Sequence, residues 1–334
     1  MATSYRIFGV ELSPYSVKVR SYFRYKNLPH EWVVRGVHNQ EEFQKHAKLP
    51  LVPLVIGSDG TVLQDSTPII EAIEAQHPEP SITPPNAAMA FLSALVEEYA
   101  DEWGNKPMFH YRWAYAPDAW VSADRLAHAM NPVADEATVG AVRDMVFTRM
   151  TGRLGFVGSS DATKATIEGS FERLLTILEK HLAARPYLFG GRPALADFGL
   201  YGQIYNAAGD PTPGKLVRES APKTLAWIAR MHAPKAEGEF EGWDALHATL
   251  LPLLSEEIGA LFLPWSVANS RALAAGQKEL SVELRGTPFT QEVQKYHAKS
   301  LKALRDRYRA VKDRSTLDHI LERAGCLAPL QAEG

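Results

Sequence analysis

The junction between the first predicted strand and the first predicted helix constrains the fold more than any other feature of the sequence. Residues 5–12 are mostly apolar, with branched and aromatic side chains that favour a β-strand. They lead into Ser13-Pro14-Tyr15-Ser16, in which Pro14 suits the first turn of a helix and Ser13 suits the capping position before it. The sequence therefore predicts a strand, a short turn and a helix over residues 14–27.

The rest of the first 80 residues alternates between strand and helix signals. Strands are predicted at 30–35, 52–56 and 61–63, a short helix at 40–48, and a further helix that opens at 64–68. The turn Gly57-Ser58-Asp59-Gly60 joins the last two strands as a hairpin. The resulting order, βαβαββα, predicts a compact α/β domain over residues 1–80.

A proline-rich segment separates this domain from the rest of the chain. Prolines at 78, 80, 84 and 85 stiffen the connection, and strand signals nearly vanish after it. Helical periodicity recurs at 86–105, 135–150, 161–184, 194–208, 218–232, 243–260 and 290–312. A chain of 334 residues exceeds the size of one hydrophobic core. We therefore predict a second, all-helical domain over residues 86–334.

Composition and charge argue against several classes of function. The net charge of −3 provides no basic surface for nucleic acid or for an anionic membrane. The N-terminus lacks the apolar core of a signal peptide, and no long uncharged apolar stretch occurs, so we expect a cytoplasmic protein outside any membrane. The single cysteine, Cys326, rules out an internal disulfide, and the 11 histidines show no paired metal-ligand spacing, so no metal is expected.

The Ser-Pro-Tyr-Ser turn also indicates the chemistry of the site. It is similar to the Cys-Pro-Tyr-Cys redox loop of glutaredoxins, with serine at both cysteine positions. A hydroxyl forms neither a thiolate nor a mixed disulfide, so this loop cannot perform disulfide exchange. It can still hold a sulfur that another molecule supplies, which points to glutathione chemistry.

Three motifs together resemble the cytosolic glutathione transferase family, in its serine-type form. They are Ser13-Pro14-Tyr15-Ser16, Val52-Pro53 and Asp65-Ser66. A weaker fourth match at 193–198 is similar to the folding box of the family, although Ala194 stands where the family has a Ser or Thr cap. The resemblance implies a thioredoxin-like N-terminal domain followed by a helical glutathione-transferase-type domain. The last 100 residues exceed the usual family length and form a C-terminal extension.

The resemblance also implies roles for individual residues. Ser13, at the N-terminus of the first helix, would donate a hydrogen bond to the glutathione thiolate, with Ser16 as the alternative donor. The residues that would bind the tripeptide are Tyr15, Lys48, Val52, Pro53, Asp65 and Ser66. Among them, Val52 would be joined to Pro53 by a cis bond and would pair through its backbone with the cysteinyl unit, and Asp65 and Ser66 would hold the γ-glutamyl group. Each motif taken alone also fits a structural role, such as a helix cap or an edge-strand proline.

An aromatic segment at 103–115 predicts the pocket for a second substrate. The predicted pocket residues are Trp103, His110, Tyr111, Arg112 and Trp113. The same side chains also fit a helix core or a dimer interface. The acidic residues at 97–102, just upstream, predict a solvated helix face.

The leading interpretation is a glutathione transferase, with glutathione as co-substrate and no metal. It would activate the glutathione thiolate for attack on a small hydrophobic electrophile, as in detoxification, and the resemblance implies a homodimer. One alternative is a glutathione-dependent isomerase or ether-cleaving enzyme that uses the same site. Another is a binding or scaffold protein that keeps the fold without turnover.

Overall fold

The N-terminal domain is a four-stranded sheet with three helices. The computed structural model describes residues 4–332. The strands are β1 (Tyr5–Gly9), β2 (His30–Val34), β3 (Leu54–Gly57) and β4 (Val62–Gln64), and the helices are α1 (Pro14–Tyr25), α2 (Gln40–His46) and α3 (Ser66–Gln76). The sheet order is β2-β1-β3-β4, with β2 parallel to β1 and the other neighbours antiparallel. The predicted βαβαββα order is confirmed.

The register of the sheet brings three chain segments to one edge. Phe8 pairs with Leu54, and Leu54 in turn pairs with Gln64. Strand β1 ends one residue after Phe8, β3 begins at Leu54, and β4 ends at Gln64. The loop after β1, the loop before β3 and the start of α3 therefore lie side by side at the same end of the sheet.

Eight helices form the next part of the chain. They are α4 (Ala87–Glu102), α5 (Asn105–Ala114), α6 (Ala116–Met130), α7 (Glu136–Thr151), α8 (Lys164–His181), α9 (Leu195–Ala208), α10 (Pro211–Ser220) and α11 (Pro222–His232). The predicted helices at 86–105, 135–150, 161–184 and 194–208 are found with small shifts at their ends. Helices α5 and α6 were not predicted, because seven of the ten residues of α5 are buried and the buried face of α6 consists of alanine, serine and aspartate.

Helix α1 lies between the sheet and the helical part of the protein. Ten of its 12 residues are buried, and the Ser21 hydroxyl donates to the Met231 carbonyl at 2.6 Å. Helix α1 also packs against α9 at Gly202, where an added Cβ would lie 2.4 Å from the Pro14 carbonyl oxygen. Gly202 therefore permits an approach of α9 to α1 that a side chain would prevent.

The start of α9 confirms the expected missing cap. Ala194 provides no side-chain acceptor, and the Asp197 carboxylate instead accepts the Ala194 N–H at 2.9 Å. Asp197 also accepts from the Leu188 N–H and from the Trp227 indole, at 2.9 and 3.0 Å. Burial raises the pKa of Asp197 to about 7, and these donors oppose the rise. The buried carboxyl group thus joins three segments of the helical domain.

The C-terminal extension packs onto the same hydrophobic core. Its elements are α12 (Trp243–Pro252), a π-helical segment (Leu253–Phe262), α13 (Leu263–Ala274), β5 (Glu279–Leu284), β6 (Thr287–Glu292), α14 (Lys295–Ala310), α15 (Ser315–Arg323) and α16 (Leu327–Gln331). Trp265 and Phe289 both contact Trp103 of the helical domain, with ring centroids 5.9 and 5.6 Å apart. The extension is therefore part of the folded body.

Strands β5 and β6 correct the prediction of an all-helical second domain. They form an antiparallel hairpin in which Leu284 pairs with Thr287 across the two-residue turn Arg285-Gly286. Both turn residues have positive φ, 50° and 78°, as a type I′ turn requires. The alternation of Leu280, Val282 and Leu284 was the available sequence signal, and the predicted helix at 290–312 begins only at Lys295.

One helical segment among the described residues, Trp243–Ala274, is long and apolar enough to cross a membrane. Half of its apolar window is buried inside the protein. Glu257 within it is buried, pairs with Arg173 at 2.8 Å and accepts a hydrogen bond from Tyr99 at 3.0 Å. Packing in the core of this protein accounts for the apolar composition of the segment.

Candidate active site

Ser13 caps α1 at the edge where the three loops meet. Its Oγ accepts a hydrogen bond from the Ser16 N–H at 3.2 Å, and the residue is half-buried. Accepting this bond leaves the hydroxyl proton free to donate to a ligand. The N-terminus of the 12-residue helix also places partial positive charge beside this hydroxyl. Ser13 therefore offers both a hydrogen bond and a favourable field to an anion.

Ser16 lies in a different environment. It is fully buried, and a Cβ added to Gly9 of β1 would lie 3.0 Å from the Ser16 Cβ. Its side chain thus faces the sheet, and within residues 4–332 its Oγ has no hydrogen-bond partner. Of the two predicted thiolate donors, Ser13 is the more accessible.

Tyr15 connects the loop to the helical domain. Its phenol donates to the Asp101 carbonyl at 2.9 Å and accepts from the Asn105 amide at 3.2 Å. Burial and the neighbouring carboxylates raise the pKa of Tyr15 well above its usual value. The phenol therefore stays protonated and is engaged with α4 and α5.

The loop before β3 presents backbone groups at the same edge. The Val52–Pro53 peptide bond is cis, as predicted. Within residues 4–332, the Val52 N–H and C=O have no hydrogen-bond partner. Lys48, in the same loop, is exposed. The loop thus leaves one donor and one acceptor of Val52 available to an extended ligand.

Gln64 holds this loop in place, a role that the sequence analysis did not assign. Its Oε1 accepts from the N–H groups of Lys48 and Leu49 at 3.0 and 3.1 Å. Its Nε2 donates to the carbonyls of Leu49 and Leu51, both at 2.7 Å. One side chain therefore satisfies four backbone groups just before the cis bond.

Asp65 and Ser66 complete the edge at the start of α3. Asp65 has φ 79° and ψ 137°, a conformation that costs a non-glycine residue about 1–3 kcal/mol. Ser66 is buried, and its Oγ lies 3.5 Å from the Lys18 ammonium. Strain at the residue that begins a helix is typical of positions with a functional constraint.

Lys18 is a buried cation that sequence analysis also missed. Its Nζ donates to Glu97 at 2.5 Å, to Asp101 at 2.6 Å and to Thr67 at 3.1 Å. Burial lowers the pKa of Lys18, but the two carboxylates raise it by more than burial lowers it, so the net pKa is raised. The acidic segment at 97–102 is therefore not the solvated helix face that its composition predicted, since it faces Lys18 and the extension. The only local sequence signal for this buried cation is the position of Lys18 between the apolar residues Val17 and Val19.

The extension reaches the site through α14. The Tyr296 phenol donates a hydrogen bond to Asp65 Oδ2. Further along α14, Ser300 donates to Glu102 at 3.1 Å and Arg307 forms an ion pair with Glu71 of α3. Because Tyr296 lies 231 positions from Asp65 in the chain, local sequence patterns could not predict this contact.

The predicted pocket residues lie in the core and not on a cleft wall. The five side chains are 0–5% exposed. Trp103 donates to Ser170 at 2.9 Å, and His110 contacts Ser159 and Glu168 at 2.7 and 2.9 Å. The physical reason is that α5 is an internal helix, packed against α6, α8 and α9. Tyr111 and Trp113 accordingly belong to hydrophobic clusters.

Arg112 holds the loop between β1 and α1 in place from the side of the helical domain. It is buried, pairs with Asp210 at 2.7 Å and donates to the Leu12 carbonyl at 2.8 Å. Leu12 directly precedes Ser13, so this bond fixes the chain at the entrance to α1. Arg112 is therefore a positioning residue.

Family models match both halves of this architecture. The model of the glutathione S-transferase N-terminal domain matches residues 7–81, and that of the glutathione S-transferase C-terminal domain matches residues 149–230. No curated protein sequence matches the chain.

Several solved structures are similar to this chain. A glutathione S-transferase from Methylobacterium radiotolerans JCM 2831, in complex with glutathione sulfonate, is 20% identical, with 72% of this chain and 96% of that chain covered and a TM-score of 0.42. FzlA from C. crescentus is 17% identical, covering 69% and 90%, with a TM-score of 0.43. A maleylacetoacetate isomerase from Anaeromyxobacter dehalogenans 2CP-1, with bound GSH, is 24% identical, covering 70% and 99%, with a TM-score of 0.38.

Similarities at this level give no information about the activity of the chain. The family assignment rests instead on the two domain models, which match in the expected order, and on the thioredoxin-like sheet followed by helices. The chain belongs to the glutathione transferase family.

Proposed function

We propose that this protein binds glutathione along the sheet edge formed by Ser13, Val52 and Asp65-Ser66, and activates its thiol for attack on a small hydrophobic electrophile. The observation that carries the proposal is the register of β1, β3 and β4, which places these three segments at one edge. Each segment offers a different group: a hydroxyl, a free backbone pair, and a carboxylate beside a helix N-terminus.

Thiol activation needs only a modest preference for the thiolate. A free thiol of pKa about 8.5 is roughly 3% ionised at neutral pH. Lowering that pKa by about 2 units corresponds to about 2.7 kcal/mol of selective stabilisation. The Ser13 hydroxyl and the positive end of α1 together supply interactions of this size. The thiolate sulfur then forms a bond to the electrophilic carbon, and the leaving group departs or the adduct takes up a proton.

The rest of the edge suits the peptide part of glutathione. The free N–H and C=O of Val52 match the cysteinyl backbone, as an added strand would. The first amides of α3 and the Ser66 hydroxyl suit the γ-glutamyl carboxylate, and Asp65 suits its ammonium group. Lys48, exposed in the loop held by Gln64, suits the glycyl carboxylate. Pro53 shapes this loop, and Tyr15 anchors the opposite one.

The experiment compares Ser13→Ala with Ser16→Ala in an aryl-halide conjugation assay. We expect Ser13→Ala to lower kcat by about 10- to 100-fold, because it removes the hydroxyl's share of the roughly 2.7 kcal/mol and leaves the positive end of α1 in place. Glutathione binding, measured by calorimetry, is retained because the peptide contacts are unchanged. Ser16→Ala is the matched control, since Ser16 faces the sheet. Unchanged turnover in Ser13→Ala refutes the role, and loss only in Ser16→Ala transfers it to Ser16.

Isomerisation or ether cleavage at the same site starts from the same thiolate. In those reactions glutathione adds to the substrate and leaves again, so free glutathione is recovered. Product analysis by mass spectrometry separates them from conjugation, in which the thioether is the end product.

A non-catalytic role has one specific observation in its favour. The Tyr296 phenol donates a hydrogen bond to Asp65, the residue assigned to the ammonium of glutathione. Retention on immobilised glutathione without turnover of any electrophile supports a binding protein. Absence of both overturns glutathione as the ligand.

The cellular setting belongs to the same proposal. A transferase of this kind would work in the cytoplasm, in detoxification, as a homodimer. Helix α14 covers part of α3 and α4 in its own chain, so a dimer contact on that face must include α14. Light scattering after size exclusion measures the subunit number.

A further inference from the structure

We infer that Glu98, Glu102 and His297 form a binding site for a divalent metal of the zinc type between α4 and α14. Their nearest donor atoms all lie within 4.8 Å of one another. The spacing of histidines along the chain could not reveal such a group, because its single histidine is about 200 residues from the carboxylates. The inference does not depend on the proposed glutathione chemistry.

His297 is oriented as a metal-ligating histidine is. The side chain is 1% exposed, and its Nε2 lies 2.6 Å from the Ser266 hydroxyl. A hydrogen bond of this kind to the nitrogen that faces away from the metal fixes the ring angle of a ligating imidazole. The other nitrogen, Nδ1, lies 3.0 Å from Glu102 Oε2 but makes no hydrogen bond of acceptable geometry. With the proton on Nε2, the Nδ1 lone pair points at the carboxylates.

The two carboxylates meet the histidine from one face of α4. Glu98 and Glu102 are four residues apart, so their side chains are neighbours on the helix surface. Glu98 Oε1 is buried and has no hydrogen-bond partner among residues 4–332. Glu102 Oε1 accepts from Ser300, which leaves Oε2 directed at His297.

In the described part of the chain, the buried lysines Lys18 and Lys106 direct their ammonium groups away from this pair. Lys18 pairs with the other two acids of the segment, Glu97 and Asp101. Lys106, one turn after Glu102, directs its ammonium to the Val157 carbonyl and to Gln291 instead, at 3.2 and 2.8 Å. Two adjacent carboxylates in a largely buried setting repel each other unless a cation lies between them. A divalent ion balances both charges at once.

The ligand types select the class of metal. Imidazole nitrogen with carboxylate oxygens suits Zn²⁺ and its first-row neighbours, whereas Mg²⁺ and Ca²⁺ prefer oxygen ligands alone. Three protein ligands leave a fourth tetrahedral position for water. Because α4 and α14 each contribute, the bound ion would fasten the extension to the helical domain, next to the Tyr296–Asp65 contact.

The test is a zinc titration of the chelator-treated full chain by calorimetry. We expect one equivalent of Zn²⁺ to bind and the thermal unfolding temperature to rise with zinc. Glu98→Gln and His297→Gln should each weaken zinc binding by about 100-fold or more, and Ser266→Ala by about 10-fold. Glu168→Gln is the matched control, because the Glu168 carboxylate also contacts a histidine, His110, at 2.9 Å.

Three outcomes decide the inference. Absence of saturable zinc binding to the wild-type chain overturns it and leaves an ordinary buried histidine–carboxylate pair. Zinc binding that survives Glu98→Gln and His297→Gln places the ion elsewhere, which also overturns it. If His297→Gln does not fold, the zinc affinity of Glu98→Gln, at a partly exposed position, still tests the site. Crystals soaked in zinc provide a second test, since data collected at the zinc absorption edge should show an anomalous peak between α4 and α14.

Discussion

The phenol of Tyr296, in the first turn of α14, donates a hydrogen bond to the carboxylate of Asp65 at the start of α3. These two residues are 231 positions apart, and their contact closes the extension over the edge assigned to glutathione. The phenol takes up one oxygen of the Asp65 carboxylate and so competes with the ammonium of a ligand for this residue. Opening of this contact is therefore coupled to ligand binding under the proposed function.

Replacing Tyr296 by phenylalanine should strengthen glutathione binding. The change removes the competing donor and keeps the ring, and an exposed bond of this kind contributes about 1 kcal/mol, which corresponds to roughly five-fold in Kd. Calorimetric titration with glutathione measures the change. Tyr308→Phe is the matched control, because Tyr308 also donates to an aspartate, Asp318, at 2.8 Å, but far from the site. Weaker binding in Tyr296→Phe would instead make the phenol part of the ligand site.

Replacing Lys18 by methionine should destabilise the fold by about 3–5 kcal/mol, because Glu97 and Asp101 would remain buried without their cation. Chemical denaturation measures the free energy of unfolding. Adding Glu97→Gln should recover part of the loss, since it removes one of the two stranded charges. Lys302→Met, which breaks an exposed pair with Asp306, should cost less than about 1 kcal/mol. Equal losses in the two methionine variants contradict the buried-cluster account.

His181 should make stability depend on pH in acid. Burial, together with the nearby Arg185 cation, lowers the pKa of His181 from 6.5 to about 4, although the hydrogen bond from Nε2 to the Leu188 carbonyl at 2.8 Å opposes this shift. The neutral ring also accepts a hydrogen bond from Thr249 at 2.8 Å. A lowered pKa means that the unfolded state binds the proton first. Stability from this group is therefore complete above pH 6.5 and is lost as the pH falls towards 4.

The expected loss across this pH interval is about 3 kcal/mol. It should be largely absent in His181→Gln and unchanged in His247→Gln, at an exposed position on α12. Urea denaturation at a series of pH values gives the slopes. Parallel curves for wild type and His181→Gln would show that this histidine does not titrate differently on unfolding.

Replacing Gly202 by alanine should disturb the contact between α9 and α1. The added Cβ would lie 2.4 Å from the Pro14 carbonyl, so the helices must separate, at a cost of about 1–3 kcal/mol. Because Pro14 follows Ser13, turnover should fall as well. Gly140→Ala in α7, where an added Cβ meets only Arg143 at 3.5 Å, should stabilise the protein by up to about 1 kcal/mol. Melting temperatures measure both changes: that of Gly202→Ala should fall and that of Gly140→Ala should rise.

Local patterns were sufficient for the N-terminal domain. The Ser-Pro turn, the Gly-Ser-Asp-Gly hairpin and the short apolar strands each depend on neighbouring residues, so the βαβαββα order followed from sequence. The cis bond at Val52–Pro53 agreed with the family resemblance. The same approach failed for the segment 103–115, because periodicity identifies a buried face but not whether it borders a cavity or a core.

The sequence by itself determined the two-part architecture, the absence of an internal disulfide and the position of the Ser13 hydroxyl at a helix N-terminus, because these follow from residue types and short-range geometry. Only the tertiary structure decided that Lys18 balances two acids of α4, that Gln64 holds the Val52 loop, and that Tyr296 and His297 lie against Asp65 and Glu102. Those contacts join residues 13 to 231 positions apart. Chain packing, and not local conformational preference, sets which such residues meet.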